Sequence, residues 1–388
     1  MTQRIVIIGA GYAGLTAAAR VARQVRDVEV VLVNARPNFV ERVRLHQVAS
    51  GAAVGEHALA DLMRGSGIDL KIGRVESIDP QRRELRIDDE TLGYDTLVYA
   101  LGSVADSGAG VPGVAEHAES VAALTEARGL HSRVLDLADR RGTVTVVGGG
   151  LTGIEAATEL AETHPGLRVR LLVGTMVGPR LSDKGRAHLR RVFDRLGIEV
   201  RTGARVAEVR ASSLVLADGE TVDTDSTVWA TGFGVPDLAA RAGLAVDATG
   251  RVLVDDTMRS TSHPEVYAVG DAATVRLPGG RELRMACATA KPIGQHAADS
   301  IAARLAGRTP RPFRFRYLIQ CISLGRADGL VQFVDAVDGP KERVLTGRTA
   351  ARFKEFVVRY ALRSSYQAGP YLPRRRVSGR ETAGSTRG

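Results

Sequence analysis

Two glycine runs in the sequence have the spacing of a turn that binds the pyrophosphate of a dinucleotide. Each run follows a short β-branched segment and enters an alanine-rich segment, which indicates a strand, a turn and a helix in that order. In such a turn the first glycine permits the bend, the second lets the backbone approach the phosphates, and the third lets helix and strand pack closely. The helix then offers free N–H groups to the anion. The two G-x-G-x-x-G runs consist of Gly9, Gly11 and Gly14 and of Gly148, Gly150 and Gly153.

The repetition of this pattern carries more weight than either copy. One G-x-G-x-x-G is weak support, whereas two in the same context, 139 residues apart, indicate two dinucleotide-binding units. About 20 residues after such a turn, an acidic residue usually holds the ribose hydroxyls. The first unit has Asn34 there, and the second ends its strand at Gly174, so no carboxylate repels a 2′-phosphate. Both NADH and NADPH therefore stay open as ligands of the second unit.

Three further segments place small or acidic residues at the ends of apolar strands. They are Tyr94–Ser103, Thr227–Phe233 and Pro264–Asp271. Because ligands of open α/β sheets bind beyond the carboxyl ends of the strands, Asp271 is placed to accept hydrogen bonds from polyol hydroxyls. Taken alone, a helix N-cap in front of Ala272 is the simpler interpretation of this aspartate.

The order of these motifs resembles that of the FAD-dependent pyridine nucleotide (disulfide-type) oxidoreductases, flavoproteins with two dinucleotide-binding domains. The resemblance covers residues 2–362. Within that family the chain is similar to the apoptosis-inducing-factor-like quinone reductases and the type II NADH dehydrogenases. This narrower similarity is carried by Gly148–Glu162, Arg284–Ile301 and Ile322–Gly329.

The resemblance implies an α/β fold with two Rossmann-type domains and a small α+β domain at the C-terminus. The FAD-binding domain would be discontinuous, over residues 1–112 and 238–312, with the NAD(P)H-binding domain, 113–237, inserted in it. An interface or acceptor domain would span 313–372, followed by a disordered basic tail, 373–388.

The resemblance also assigns roles to individual residues. Glu155 takes the place of Thr16 in the first copy, and the family has a glutamate there beside nicotinamide and flavin. Lys291, near the start of a predicted helix, would add positive potential at the flavin. We expect these two residues to be catalytic. The cofactor-binding set is Gly9, Gly11, Ala13, Gly14, Asn34, Arg42, Val75, Ala100, Gly102, Gly148, Gly150, Gly153, Gly232, Gly270, Asp271 and Ala288.

The implied reaction passes hydride from NADH or NADPH to FAD and electrons from the flavin to an acceptor, with a quinone as the leading candidate. The alternatives are a redox carrier protein or small metabolite as acceptor, or a nucleotide-responsive redox-signalling flavoprotein. Cys287 and Cys321 are 34 residues apart, which argues against a disulfide relay and against a sulfide:quinone reductase. We interpret them as buried core thiols.

The sequence offers weaker signals for a histidine in the site, and none for a metal site or a membrane span. His46 could donate a hydrogen bond in the site, but a structural, hydrogen-bonded histidine is the simpler interpretation. The eight histidines show no metal-ligand spacing, so no metal site is expected. The longest uncharged run, residues 5–19, is shorter than the roughly 20 residues that span a bilayer. We expect a cytoplasmic protein, with peripheral attachment to the inner face of the cell membrane as an alternative.

The net charge of +9 lies at the C-terminus, because residues 341–388 contain 12 basic and 3 acidic residues. The neutral remainder argues against a nucleic-acid partner. Residues 349–363 are predicted to form a helix with an aromatic stripe at Phe353, Phe356 and Tyr360 and a basic remainder that includes Lys354. This helix and the tail could lie on an anionic membrane surface. Alternatively, the stripe packs on its own domain or on a second subunit of a homodimer.

Overall fold

A computed structural model describes residues 2–54, 56–105, 108, 110–366 and 377–378. The predicted basic tail therefore lies outside the described residues, apart from Val377–Ser378, which pair in parallel with Val25–Arg26.

Ten α-helices are described, and six of them are longer than ten residues. They are α1 (Tyr12–Gln24), α2 (Leu45–Ala49), α3 (Leu59–Leu62), α4 (Val114–His117), α5 (Leu124–Asp139), α6 (Leu151–Thr163), α7 (Asp183–Leu196), α8 (Leu238–Arg241), α9 (Cys287–Leu305) and α10 (Gly347–Tyr366). Short 3₁₀ turns lie at Arg42–Arg44 and Gly270–Ala272.

The strands form two parallel sheets and three antiparallel ones. In chain order they are β1 (Gln3–Ile8), β2 (Val28–Asn34), β3 (Asp69–Ile72), β4 (Val75–Asp79), β5 (Glu84–Ile87), β6 (Glu90–Gly93), β7 (Thr96–Tyr99), β8 (Ala118–Glu119), β9 (Thr143–Val147), β10 (Arg168–Val173), β11 (Glu199–Thr202), β12 (Val206–Val209), β13 (Ser213–Leu216), β14 (Thr221–Asp223), β15 (Ser226–Trp229), β16 (Val266–Ala268), β17 (Ile319–Ser323), β18 (Gly329–Val334) and β19 (Pro340–Thr346). Two-residue pairs join Val104–Ala105 to Phe233–Gly234, Asn38–Phe39 to His57–Ala58, and Val252–Leu253 to Ala273–Thr274.

The first parallel sheet has the strand order β16–β7–β1–β2–β3. Its central strands read Arg4-Ile-Val-Ile-Ile8 and Val28-Glu-Val-Val-Leu-Val33. Their apolar residues, apart from half-buried Val28, are buried in one core cluster with residues of α1 and of the antiparallel strands β4 and β5. The chain runs from β1 to β2 on one side and later returns to β7 on the other. The end of β1 is therefore a topological switch point, where ligands of such sheets bind.

The second parallel sheet repeats this arrangement in the order β8–β15–β9–β10–β11, with β9 in the position of β1. Strand β16 completes the first sheet only after the second has been formed, so the second unit is inserted in the first. Both Rossmann-type units and the insertion predicted from the sequence are thus confirmed. The exact domain boundaries stay predictions.

The C-terminal residues form an antiparallel sheet, β17–β18–β19, against which α10 packs. Helix α10 also contacts α1 of the first unit. It contributes Ala350, Val358 and Leu362 to the interior, at a spacing of four or eight residues. These strands and the helix form the small α+β unit that the resemblance implies for the C-terminus.

Candidate active site

The first glycine turn cannot accept side chains at two of its three glycines. Gly9 has φ +99°, and a Cβ there would lie 2.4 Å from the carbonyl oxygen of Ala100. A Cβ on Gly14 would lie 1.9 Å from the Gly9 carbonyl oxygen. Gly11 is different, because it is exposed at the N-cap of α1 and no protein atom lies within 4 Å of its Cβ position. The open space faces the helix N-terminus, as a cradle for an anion requires.

The second turn reproduces this geometry. A Cβ on Gly148 would lie 2.4 Å from the Ala230 carbonyl oxygen, and one on Gly153 would lie 2.0 Å from that of Gly148. Gly150 caps α6 with φ −78° and ψ −179°, against −78° and −173° at Gly11. The two turns have the same shape, so the residues present fit two bound pyrophosphates.

At the carboxyl edge of the first sheet, the ends of three segments meet. The Ser103 hydroxyl donates to Asp271 Oδ2 at 2.7 Å, and Arg42 Nη1 donates to the Ser103 carbonyl oxygen at 2.6 Å. Gly102, with φ +68°, would bring a Cβ to 3.6 Å from Arg42 Nη1. The structure thus brings together Arg42, Gly102 and Asp271 from three distant parts of the sequence. Their shared contact Ser103 was not among the predicted site residues.

The other predicted cofactor residues are placed as follows. Asn34 accepts a hydrogen bond from the Ala10 N–H through Oδ1 at 3.0 Å, so it holds the first glycine turn against β2. Gly294 of α9 approaches α1 so closely that a Cβ would lie 2.4 Å from the Ala13 carbonyl oxygen. The remaining predicted positions are Val75 at the start of β4, Ala288 in the first turn of α9, buried Gly270, and Gly232 in the exposed turn after β15.

Glu155 forms a mostly buried ion pair with Lys354 of α10. Lys354 Nζ lies 3.1 Å from Glu155 Oε1, and the two side chains are only 16% and 13% exposed. The Ser323 N–H also donates to Glu155 Oε1 at 2.9 Å, and Lys354 donates to the Cys321 carbonyl oxygen at 3.2 Å. Three elements, α6, β17 and α10, therefore meet at one charged pair.

The pair holds both groups in their charged forms. Burial alone would raise the pKa of Glu155, but the Lys354 ammonium, with the Ser323 N–H, brings that pKa below its ordinary value. Burial alone would lower the pKa of Lys354, and Glu155 more than offsets this, so the pKa is raised. A proton on Nζ is thus retained at neutral pH beside a carboxylate.

The residue next to Lys354 anchors α10 a second time. Glu355 accepts two hydrogen bonds from Arg44, at 2.7 and 3.0 Å, in a bidentate pair. Hydrogen bonding from Arg44 lowers the pKa of Glu355 to about 2. These adjacent pairs fix the orientation of the helix against the first two units.

Lys354 therefore corrects the sequence interpretation, which assigned it to the solvated basic face. Lys291, the lysine predicted to be catalytic, does not belong to this pair. It donates to the Ser364 hydroxyl and its Nζ lies 5.1 Å from the centre of the Tyr360 ring. A role of Lys291 at the flavin stays a prediction.

The two cysteines and His46 surround the pair. Cys287 and Cys321 are half-buried rather than buried, which corrects the core-thiol interpretation, and burial raises both pKa values, that of Cys321 to about 11. His46 is 4% exposed, its Nε2 lacks a hydrogen-bond partner, and burial lowers its pKa to about 4. Thiols and imidazole are therefore neutral at pH 7, and the pair carries the charge.

A cleft of about 760 Å³ opens beside the pair. Its walls come from α10, the end of α6 and the β17–β18 loop, and they include Lys354, Phe356 and Val358. Arginines at 326, 348, 352 and 359 give it a basic rim. The cleft can therefore receive an apolar ring that carries hydrogen-bond acceptors.

The aromatic stripe of α10 faces outward. Phe353, Phe356 and Tyr360 are 37%, 63% and 52% exposed, and the Phe356 and Tyr360 rings stack with centroids 6.1 Å apart. The alternative in which this stripe packs on its own domain is therefore wrong. The helix instead packs through its opposite, small and apolar face.

Comparison with known proteins agrees with this geometry. The model of the pyridine nucleotide-disulphide oxidoreductase family matches residues 3–294. The chain belongs to this family. Among relatives, an NADH dehydrogenase-like protein of Mycobacterium tuberculosis is 31% identical over 350 residues, covering 84% of this oxidoreductase and 86% of the relative. The type II NADH:quinone oxidoreductase of the same organism is 29% identical, with 80% and 75% covered.

Solved structures share the fold of the oxidoreductase. The sulfide:quinone oxidoreductase of Aquifex aeolicus superposes with a TM-score of 0.81 at 20% identity, covering 94% of this chain and 91% of the other. NDH2 of Plasmodium falciparum, solved with NADH, gives 0.79 at 15% identity, covering 96% and 99%. The family and fold class predicted from the sequence are confirmed.

The described residues contain neither a candidate membrane-spanning helix nor a candidate metal cluster. No helix in the described part of the oxidoreductase is both long and apolar enough to cross a membrane. Within the same residues, no group of three or more His, Cys, Asp or Glu side chains is placed to hold a metal ion.

Proposed function

We propose that this oxidoreductase is an FAD-dependent NAD(P)H dehydrogenase that passes electrons to a quinone. One observation carries the proposal: the buried Glu155–Lys354 pair joins the helix of the second glycine turn to the wall of a cleft. Relatives named NADH:quinone oxidoreductase match most of the chain at 24–29% identity. The pair thus connects a nucleotide-binding helix to an acceptor-sized space.

The first unit has the features that FAD requires. Gly9, Gly11 and Gly14 would hold its pyrophosphate, and Asp271 would accept hydrogen bonds from its ribityl hydroxyls. Asn34, already bonded to the turn, would stand beside the adenosine ribose. When bound, FAD supplies the hydride-accepting and electron-passing chemistry. Here α1, α9 and the 3₁₀ turn after β16 pack closely, because a Cβ at Gly14, Gly270 or Gly294 would lie only 1.9–3.0 Å from a neighbouring atom.

The second unit would hold NAD(P)H by the same means. Gly148, Gly150 and Gly153 receive the pyrophosphate at the start of α6, and Glu155, two residues later on the same helix, is fixed by Lys354 and Ser323. A carboxylate held in this way is placed to orient the carboxamide of a nicotinamide. Gly174 directly follows β10, and apart from its chain neighbours no atom of the described residues lies within 4 Å of its Cβ position, so the 2′-position of the ribose would have space.

On the acceptor side, Lys354 holds a proton at Nζ next to the cleft. An acceptor carbonyl that lies against Phe356 and Val358 would come within reach of this ammonium, which can donate a hydrogen bond and then the proton. Glu155 compensates the charge of Lys354 and, in turn, can take up a proton. The chain's own contribution is therefore to orient the two reactants, exclude water and supply protons.

The exposed face of α10 is suited to an anionic lipid surface, the location of lipid-soluble quinones. It combines Phe353, Phe356 and Tyr360 with Arg352, Arg359 and Arg363, an aromatic and basic pattern typical of interfacial helices. The described chain would then bind at the membrane without crossing it. Co-sedimentation with anionic and neutral vesicles tests this location. Selective binding to the anionic vesicles supports it, and equal recovery in the supernatant contradicts it.

Anaerobic mixing of the holoenzyme with NADH and with NADPH in parallel tests the proposed function. Bleaching of the flavin absorbance should follow within the turnover time, and a soluble quinone should restore it. A ferredoxin-type carrier and oxygen form the remaining acceptor arms. Reoxidation by one of these, with no response to quinones, would overturn the quinone proposal.

A further inference from the structure

Glu159 is a buried carboxyl group outside the site described above. It lies on α6, four residues after Glu155 and three before Glu162, and it is 1% exposed. Its Oε2 atom has no hydrogen-bond partner among the described residues. A buried polar atom left without a partner costs free energy, and at a carboxyl group this cost calls for an explanation. The mechanism proposed above makes no use of this carboxyl group.

The surroundings of Glu159 bring it close to neutrality at physiological pH. Burial raises its pKa to about 7, opposed by Arg326 of the β17–β18 loop and assisted by Glu162 and Glu155. By contrast, Lys354 and Arg44 lower the pKa values of Glu155 and Glu355. Glu159 differs because it exchanges its proton in the range where the protein works.

The position of Glu159 on the helix places it between two carboxylates with different environments. Residues three and four apart on a helix lie side by side, so Glu155, Glu159 and Glu162 form one row. At the inner end, Glu155 is paired with Lys354. At the outer end, Glu162 is partly exposed, lines the cleft, and accepts hydrogen bonds from the backbone of Arg326 and Ala327. The row thus leads from solvent to the buried pair.

The stoichiometry of quinone reduction requires such a connection. NAD(P)H provides two electrons and one proton as a hydride, whereas a quinone takes up two electrons and two protons to become a quinol. One proton per turnover must therefore come from solvent: NAD(P)H, one proton and quinone give NAD(P)⁺ and quinol. An acceptor in the cleft would cover Lys354, so this lysine could not be reprotonated from that side.

We propose that Glu159 relays this solvent proton from Glu162 to the Glu155–Lys354 pair. The carboxyl group accepts a proton on one oxygen and releases the proton of the other, and Lys354 regains the proton that it gives to the acceptor. Glu159 is a positioning and relay residue, since it touches neither reactant. The proposal rests on the quinone reductase function proposed above.

The variant Glu159→Gln keeps the size of the side chain but cannot carry a proton in this way. With a quinone, its turnover should fall on the order of 100-fold, the range of general acid–base contributions, and its solvent deuterium isotope effect should rise. With ferricyanide, which takes up electrons without protons, turnover should stay at the wild-type rate. Glu159→Asp should recover part of the quinone rate. Glu208→Gln, the same change at a side chain of β12 that is 39% exposed, should match wild type.

A spectroscopic readout separates the relay from a structural role. The infrared spectrum of the wild type should contain a carboxylic acid C=O band that titrates near neutral pH, shifts in D₂O and is absent from Glu159→Gln. Equal quinone and ferricyanide losses, or an unchanged quinone rate, would overturn the relay, as would the absence of this band. If the wild type itself fails to reduce quinones, the proposed function is overturned. The comparison of variants tests only the relay, so the two failures can be told apart.

Discussion

Replacing Lys354 with methionine should expose the energetic role of the buried pair. The methionine retains the aliphatic length of lysine, so packing against β17 changes little, but Glu155 loses its counter-charge. The carboxylate is only 13% exposed and keeps one N–H donor, from Ser323. Removing one partner of a buried ion pair typically costs about 3–5 kcal/mol.

The magnitude depends on pH, because Glu155 can escape the penalty by binding a proton. A carboxyl group with the ordinary glutamate pKa of 4.5 takes up a proton at pH 7 at a cost of about 3 kcal/mol. Because Glu155 in Lys354→Met can always become neutral at this cost, the loss of stability at pH 7 cannot exceed it. At pH 5 the same limit falls below about 1 kcal/mol. The pKa of Glu155 in this variant is raised rather than lowered, so its destabilisation grows as the pH rises. The double variant with Glu155→Gln should recover most of the loss.

Urea unfolding at pH 5 and pH 7 measures these differences. Trp229, the single tryptophan, is buried at the end of β15 in the sheet against which α6 packs, so its fluorescence reports the relevant unit. Lys71→Met is the matched control, because Lys71 pairs with Glu90 at the surface, where the side chains are 29% and 73% exposed. It should cost less than about 1 kcal/mol at either pH. If Lys354→Met behaves like this control, the buried pair does not form.

Four further variants test other parts of the account. Gly9→Ala should abolish flavin binding, measured as the flavin-to-protein ratio, because its Cβ would clash with the backbone. Gly11→Ala should unfold at the same urea concentration as the wild type and still lose flavin. A normal flavin content in Gly11→Ala would contradict the proposed phosphate cradle. The free energy of unfolding of the wild type, relative to Glu159→Gln, should decrease by about 3 kcal/mol as the pH rises from 4.5 to 7. The reason is that the raised pKa of Glu159 favours the folded state only while this carboxyl group is protonated. Parallel pH profiles of the two proteins in urea unfolding would refute this. Replacing Phe353 and Tyr360 together by serine should weaken co-sedimentation with anionic vesicles, since the two rings are 37% and 52% exposed. Turnover with a soluble quinone should stay within about twofold, because neither ring is among the described residues that line the cleft. Unchanged vesicle binding would exclude this face.

The fold could be predicted because its demands are local and occur twice. Gly9 and Gly148 each face a backbone carbonyl oxygen at a distance that no side chain tolerates, and Gly14 and Gly153 face another. Few arrangements other than a strand, a turn and a helix require glycine at this spacing. The repeat predicts two such units, and the insertion of the second unit in the first was implied by the family resemblance.

Glu155 could be found for a related reason. The two copies are similar enough to align, and the position where Thr16 is replaced by a glutamate stands out against that background. Thr16 itself is buried and donates to the Tyr12 carbonyl oxygen, 2.7 Å away, so the first copy uses the position for packing. The difference between the repeats, together with the family resemblance, pointed to Glu155 as a candidate, and its catalytic role stays a prediction.

Lys354 was missed because its partner is 199 residues away and a polar helix position is normally solvated. The sequence did contain a signal. Residues 350, 354, 358 and 362 are spaced by four and read Ala, Lys, Val and Leu, an inward-facing series interrupted by one charge. A charged residue inside such a series has to find a buried partner, and Glu155 was already a candidate.

The aromatic stripe was open to several interpretations for a physical reason. Phe353, Phe356 and Tyr360 have the spacing of a packed face, and hydrophobic periodicity does not distinguish a face that packs inward from one that faces a membrane or a partner. The contacts of α10 decide the matter, because the salt bridges of Lys354 and Glu355 turn the opposite side of the helix inward.

The central claim is that nucleotide oxidation and quinone reduction occur on one flavin in this chain. Anaerobic stopped-flow absorbance at the flavin band tests it most directly, with NAD(P)H in the first mixing step and a soluble quinone in the second. The account predicts rapid bleaching, followed by full recovery of the absorbance and formation of one quinol per nucleotide oxidised. A flavin that NAD(P)H leaves oxidised, or one that stays bleached after quinone is added, would contradict it.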